Sequence, residues 1–191
     1  MKLILSSCDF GHPESAKFIY RHLWKPIANC RVLYFPNEKV TPDKMKSGMY
    51  ERRLASFGFS EHHIYVADYF DPEPYFKLDI DVVYISGGNT FGTMKRLRDS
   101  GFDRAIVNYV HKGAVYIGGS AGAHIATADI SHVAKYDKDT FGISDFSGLG
   151  LYDGILICHY DEDRKQHAEE LMRLKKYSVT TLTNEQSILC E

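Results

Sequence analysis

The sequence predicts an α/β fold in which a mostly parallel β-sheet lies between two layers of helices. Short apolar runs rich in β-branched residues alternate along the chain with stretches that have helical spacing. Two of these runs, at 82–85 and 114–117, carry apolar side chains on both faces, as parallel strands covered on both sides do. At 191 residues the chain has the usual length of one domain, so we expect a single domain over residues 1–191.

Strands and helices are assigned in chain order from the apolar runs and the residues that bound them. Seven strands are expected, at 3–5, 31–35, 63–66, 82–85, 114–117, 154–158 and 179–182. Three helices are predicted, at 41–58, 89–101 and 102–111. The first of them has Thr41 as its N-cap and Pro42 in its first turn, and the first two end at a glycine.

Composition and charge exclude several classes of protein. The chain has 23 Lys and Arg residues against 25 Asp and Glu residues, which is not the basic surface of a nucleic-acid-binding protein. The 4 cysteines form no C-x-x-C pair, so we expect reduced thiols and neither a zinc site nor a redox motif. The N-terminal apolar run is too short for a signal peptide or a membrane span, which predicts a cytoplasmic protein without a membrane partner.

Small and polar residues collect at the carboxyl ends of four predicted strands. They occupy positions 6–9, 86–90, 118–122 and 159–160. In an open parallel sheet, ligands bind at the carboxyl edge of the strands, so these segments are expected to build one site. The irregular segment 134–150 is expected to be a loop of that site.

Ser120 lies in the pattern Gly118-Gly119-Ser120-Ala121-Gly122, between a predicted strand and a segment of small residues. This is the context of a nucleophile elbow, because glycines on either side leave room for a serine in a strained turn. The start of the following helix would stabilise a developing oxyanion. The same pattern is also compatible with a tight packing turn, or with a cradle that binds a phosphate without chemistry.

A serine nucleophile needs a general base, and His159 is the best placed of the 9 histidines because it ends a predicted strand. A third group should hold the imidazole, and two carboxylates are candidates. Glu185 follows the last predicted strand, and Asp137 lies in the irregular segment before His159. Either of them can equally be an exposed loop carboxylate.

Three blocks of the sequence resemble a family of cytoplasmic serine peptidases that includes aspartyl dipeptidase (dipeptidase E) and cyanophycinase. The blocks are VVYISGGNTF at 82–91, YIGGSAGA at 116–123, and Cys158-His159-Tyr160 with Arg164. The resemblance implies a flavodoxin-like fold related to class I glutamine amidotransferases, with Ser120 as nucleophile and His159 as base. It also implies an acidic residue after the histidine, which favours Glu185 over Asp137.

The resemblance further implies that the substrate is a small peptide, cleaved at an aspartyl residue. Such a residue calls for a cation in the pocket, and the nearby candidates are Arg164, Lys165 and His124. For Lys165, an exposed helix face is the simpler interpretation. Two departures from the aspartyl dipeptidase pattern, Gly119 before the serine and Tyr160 after the histidine, leave the exact substrate open.

We expect Ser120 to attack the peptide carbonyl while the backbone N–H groups of Ala121 and Gly88 hold the oxyanion, with the side chain of Asn89 as a further donor. This chemistry requires neither a metal nor an organic cofactor. Two other functions stay open: an esterase or amidase acting on a small acyl substrate, and a non-catalytic protein that binds a small anion. The sequence does not decide between a monomer and a homodimer.

Overall fold

The structure, a computed structural model that describes residues 1–191, contains eight strands and seven α-helices. The strands are β1 (Lys2–Ser6), β2 (Val32–Phe35), β3 (Ile64–Val66), β4 (Val82–Ile85), β5 (Val115–Gly119), β6 (Ile155–Ile157), β7 (Val179–Thr181) and β8 (Ser187–Cys190). The helices are α1 (Pro13–His22), α2 (Pro42–Lys46), α3 (Met49–Ser56), α4 (Thr90–Ser100), α5 (Phe102–His111), α6 (Ala121–Ile125) and α7 (Glu162–Leu174).

Six strands form the central sheet in the order β3-β2-β4-β5-β1-β8. All neighbours in it pair in parallel except β8, which runs antiparallel to β1 at the edge. The strands β6 and β7 form a separate parallel pair. The predicted mostly parallel α/β fold is confirmed, and each of the seven predicted strands is present within two residues of its expected ends.

The central strands are covered on both faces. Every residue of β2 and of β4 is buried, as expected for parallel strands that have helices on either side. Apolar side chains from the helices, among them Ile19 of α1, Leu97 of α4 and Ile106 of α5, are fully buried against the same core. Removal of these apolar side chains from water is the main source of stability for the sheet that carries the site.

The strand order brings three of the predicted segments together. Strand β5 lies between β4 and β1, with Ile85 of β4 paired to Gly118 and Ser6 of β1 paired to Gly119. The three strands therefore end in register at the same edge of the sheet, and the segments that follow them lie next to one another. This edge is where the site is expected in an open parallel sheet.

Two predicted features differ from the structure. The expected helix over 41–58 is two helices, α2 and α3, because Gly48 between them has a φ of 66°, in the left-handed region that glycine adopts most readily. Strand β8 has no counterpart among the predicted strands, and it follows β7 after a short turn at 183–186. The helices predicted at 89–101 and 102–111 are confirmed as α4 and α5.

None of the seven helices combines the length and the apolar composition that are needed to cross a bilayer.

Candidate active site

Ser120 occupies a strained turn between β5 and α6. Its φ of 49° and ψ of -108° are unusual for a residue with a side chain. A Cβ at Gly122 would lie 2.0 Å from the carbonyl oxygen of Ile85, and a Cβ at Gly118 would lie 2.7 Å from the carbonyl oxygen of Gly122. These two glycines are therefore required by close backbone approach, as the elbow interpretation expects.

The Ser120 hydroxyl meets the imidazole of His159, which follows β6. The distance from Ser120 Oγ to His159 Nε2 is 2.9 Å, within hydrogen-bond range. The His159 backbone is also left-handed, with a φ of 52°, and its N–H donates to Ser7 Oγ at 3.0 Å. Ser7 in turn donates to the carbonyl oxygen of Leu182 at 2.8 Å, so that β1 and the end of β7 both hold the histidine in place.

Asn184, and not a carboxylate, lies against the second nitrogen of the imidazole. Asn184 Oδ1 is 2.7 Å from His159 Nδ1 and also accepts from the Cys8 thiol at 3.6 Å. An oxygen at this position requires Nδ1 to carry the proton, which leaves the Nε2 lone pair free to accept the hydroxyl proton of Ser120. The arrangement selects the tautomer that a general base needs.

Glu185, the residue expected to hold His159, is exposed and makes no side-chain hydrogen bond. The reason is the tight turn between β7 and β8, in which Gln186 N donates to Thr183 O and Gln186 Oε1 accepts from Thr183 N. This turn directs Asn184 towards the imidazole and the adjacent Glu185 into solvent. The predicted residue, Glu185, is therefore the direct neighbour of Asn184, which makes the contact.

Asp137, the alternative acid, is also placed away from His159. Its Oδ2 accepts from the backbone N–H of Thr90 at 2.8 Å, at the start of α4. The free N–H groups and the positive dipole end of a helix attract a carboxylate to this position. The structure therefore assigns Asp137 to capping α4 and not to the imidazole.

The backbone N–H groups of Gly88 and Ala121 have no hydrogen-bond acceptor within the protein, and neither do those of the adjacent Gly87 and Gly122. The N–H of Ser120 itself donates to Ser6 O at 2.9 Å and is not available. Gly87 lies directly against Ser120, since a Cβ on it would be 3.5 Å from Ser120 Cβ. The two groups expected to form an oxyanion hole are thus both free at this edge of the sheet.

Asn89 and Arg164, which were expected to bind substrate, have their side chains engaged within the protein. Asn89 Oδ1 caps α4 by accepting from Gly92 N at 2.9 Å, and Asn89 Nδ2 donates to Lys138 O at 3.0 Å. The Arg164 guanidinium donates to Cys158 O and lies 4.0 Å above the ring of Tyr136.

His124, on α6, lies behind the base. It is buried, and its Nε2 accepts from the backbone N–H of Cys158, the residue before His159, at 3.3 Å. Burial holds the pKa of His124 well below its usual value of 6.5, and the nearby His132 lowers it further. A neutral His124 can therefore support the strand end that presents His159.

The residues that sequence reasoning missed are Asn184, Cys8 and Ser7. Ser7 and Cys8 belong to a strand end that was singled out, but nothing in the sequence shows which of its side chains faces His159. No group of three or more His, Cys, Asp or Glu side chains is placed to hold a metal ion.

Comparison with known proteins adds three sequence findings. The family model described as peptidase family S51 matches residues 3–191. An uncharacterized peptidase of Listeria monocytogenes is 34% identical over 83 residues, which are 42% of this chain and 40% of that protein. A peptidase E of Citrobacter koseri is 35% identical over 103 residues, which are 49% of this chain and 44% of that protein.

Two solved structures share the fold. A candidate peptidase E from Listeria monocytogenes EGD-e superimposes with a TM-score of 0.76 at 20% identity, over 99% of this chain and 93% of that one. A peptidase from an acI-B1 Actinobacterium gives a TM-score of 0.71 at 16% identity, over 100% of this chain and 83% of that one. The predicted flavodoxin-like α/β fold is therefore confirmed by both comparisons.

Proposed function

Because the chain belongs to peptidase family S51, we propose that it is a serine peptidase that hydrolyses small peptides through Ser120 and His159. The observation that carries the proposal is the distance of 2.9 Å between Ser120 Oγ and His159 Nε2 in a strained strand-to-helix turn. A serine hydroxyl is a weak nucleophile until a base accepts its proton, and this geometry supplies the base.

The reaction follows from the positions of these groups. Ser120 Oγ attacks the peptide carbonyl carbon and its proton moves to His159 Nε2, which gives a tetrahedral oxyanion and an imidazolium. The C–N bond then breaks, and the leaving amine takes the proton from His159. Water then attacks the carbonyl carbon of the resulting ester and gives a proton to His159. The bond from that carbon to Ser120 Oγ breaks, Oγ takes the proton from His159, and the acid product leaves.

We assign Asn184 the role of holding His159, in place of the expected Glu185. An amide oxygen orients the imidazole and selects its tautomer, but it carries no full negative charge to stabilise the imidazolium. Asparagine has this role in the Cys-His-Asn arrangement of papain-like proteases, so a carboxylate is not obligatory.

The oxyanion is assigned to the N–H groups of Gly88 and Ala121. Both are without an acceptor in the structure, and the Gly88 loop lies against Ser120. Two preorganised donors at a developing negative charge are the usual way in which acyl transfer is accelerated, and each contributes about 100- to 1000-fold in turnover.

We further propose that the substrate is a short peptide with an aspartyl residue at the cleaved bond, as the resemblance to aspartyl dipeptidases implies. Arg164 is a cation near the base, since it donates to the carbonyl oxygen of Cys158. A guanidinium has five N–H donors, so the bond to Cys158 leaves others for a carboxylate. Lys165 is less suited, because it is exposed and paired with Glu162.

The start of α4 is not available to a small anion. Its N–H groups are already occupied: Asn89 N donates to Glu38, Thr90 N to Asp137, and Gly92 N to the side chain of Asn89. Two protein carboxylates therefore already occupy the start of α4, and a small anion would have to bind instead at the Gly87-Gly88 turn and the start of α6.

The test is a hydrolysis screen with aspartyl dipeptides and β-aspartyl peptides, using wild type, Ser120→Ala and Ser131→Ala. Ser131 is an exposed serine outside the site and serves as the matched control. We expect wild type and Ser131→Ala to release the same amino acids at equal rates and Ser120→Ala to lose about 10³-fold or more. Equal hydrolysis by Ser120→Ala would refute the assignment of the nucleophile.

A further inference from the structure

We infer that Asn37 is a positioning residue that aims the Gly88 N–H group at the oxyanion, an inference that rests on the proposed function. Asn37 follows β2, one strand away from the loop that carries Gly88. It belongs to none of the segments that the sequence marks as catalytic. The structure nevertheless places its side chain on the peptide that supplies one half of the proposed oxyanion hole.

The amide of Asn37 is fixed in direction by two hydrogen bonds. Its Oδ1 accepts from the backbone N–H of Lys39 at 3.1 Å, which only the oxygen of the amide can do. The NH₂ group must then face the other way, and Nδ2 donates to the carbonyl oxygen of Gly87 at 3.2 Å. The orientation of the Asn37 amide therefore follows from the backbone around it.

This bond sets the direction of the Gly88 N–H. The carbonyl of Gly87 and the N–H of Gly88 belong to one peptide unit, and in a planar trans peptide the two point in opposite directions. Because Asn37 holds the carbonyl, the N–H points away from Asn37. It has no acceptor within the protein, and Gly87 lies against Ser120.

Glu38 fixes the next peptide in the same way. Glu38 is only 9% exposed, and its Oε2 accepts from Asn89 N at 2.9 Å. A Cβ on Gly88 would lie 2.6 Å from Asn37 Cβ and 2.7 Å from Glu38 Oε2. The chain therefore requires glycine at position 88, and both peptides that flank its Cα are held from the loop that follows β2.

Loss of this control acts on the transition state more than on the bound substrate. The oxyanion forms only after Ser120 attacks, so a misdirected Gly88 N–H weakens an interaction that the ground state does not make. A change of this kind lowers kcat and leaves KM nearly unchanged.

The experiment compares wild type with Asn37→Ala, Asn37→Asp and the control Thr41→Ala, at a temperature where all four are folded. Thr41 makes no hydrogen bond to the loop at 87–89. Its Oγ1 accepts from Lys44 N, so Thr41→Ala removes a similar hydrogen bond between a side chain and the backbone near Asn37. We expect Asn37→Ala to lower kcat about 10- to 100-fold with KM within about threefold, as partial loss of one oxyanion donor. Thr41→Ala should keep both constants.

Asn37→Asp separates direction from shape. Aspartate has nearly the same size, but it places a carboxylate oxygen where Nδ2 donated, against the carbonyl oxygen of Gly87. The expected loss in kcat is at least as large as that of Asn37→Ala. If Asn37→Asp keeps the wild-type kcat, the inference is overturned.

The remaining outcomes are also decisive. If wild type hydrolyses peptides and Asn37→Ala has the wild-type kcat, whether or not its KM rises, the role of Asn37 is overturned and the proposed function stays intact. A loss in kcat that matches the unfolded fraction in a melting curve shows a merely structural role and also overturns it. Wild type that hydrolyses no peptide refutes the proposed function itself, and the inference falls with it.

Discussion

Removing the oxygen that faces His159 Nδ1 should slow catalysis, and the variant that does so is Asn184→Ala. Asn184 Oδ1 lies 2.7 Å from that nitrogen, which becomes part of an imidazolium during the reaction. A hydrogen bond to a charged group contributes about 1.5 to 3 kcal/mol. Because Asn184 is exposed and water can replace it, the lower end applies, which corresponds to a loss of about tenfold in kcat/KM.

Two further variants make this prediction specific. Asn184→Asp places a full negative charge beside the imidazolium, worth about 1 kcal/mol at 4 Å in water. We therefore expect kcat/KM for Asn184→Asp to lie between the wild-type value and about five times that value. Any gain should shrink as salt is added. Glu185→Gln should stay within about twofold of wild type, because Glu185 makes no contact with the imidazole.

The assay is the initial rate of hydrolysis of the best peptide from the screen, at two ionic strengths. The reasoning is refuted if Glu185→Gln loses tenfold or more while Asn184→Ala keeps the wild-type rate. That pattern would restore Glu185 as the residue that holds His159.

Three other predictions concern stability and the site's supports. Burial lowers the pKa of His124, so on acidification the unfolded chain binds a proton at this residue before the folded chain does. The free energy of unfolding therefore falls as the pH drops below 6.5. Urea unfolding between pH 5 and 7 should show a smaller fall for His124→Gln than for wild type. Gly122→Ala puts a Cβ 2.0 Å from Ile85 O and should cost about 3 kcal/mol or more in calorimetry, an effect contradicted by an unchanged Tm. Asp137→Ala should cost about 1 kcal/mol of stability with kcat within about threefold, since it removes a cap of α4; a 100-fold loss of kcat would instead make Asp137 catalytic.

The meeting of Ser120 and His159 could be predicted because both residues follow apolar strands. A strand end delivers its side chains to a known edge of a parallel sheet, and Ser120 and His159 meet there at 2.9 Å. The glycines beside Ser120 also indicated the tight turn. A side chain at Gly122 would clash with Ile85, and one at Gly118 would clash with the turn itself.

The contact of Asn184 with His159 could not be predicted, because it depends on a turn and not on a strand. Residues 183–186 reverse the chain between β7 and the antiparallel β8, and the direction of each side chain in that turn follows from tertiary pairing with β1. The position of the alternative acid, Asp137, could not be predicted for a similar reason. A carboxylate in an irregular segment shows nothing in sequence of the helix start that it caps.

The central claim is that His159 activates Ser120, and covalent labelling tests it most directly. Wild type, Ser120→Ala, His159→Ala and Ser131→Ala are incubated with a fluorophosphonate probe and examined by intact mass and peptide mapping. We expect one adduct on wild type and on Ser131→Ala, located at Ser120, and none on the other two variants. An adduct on another residue, or labelling of His159→Ala at the wild-type rate, would contradict the claim.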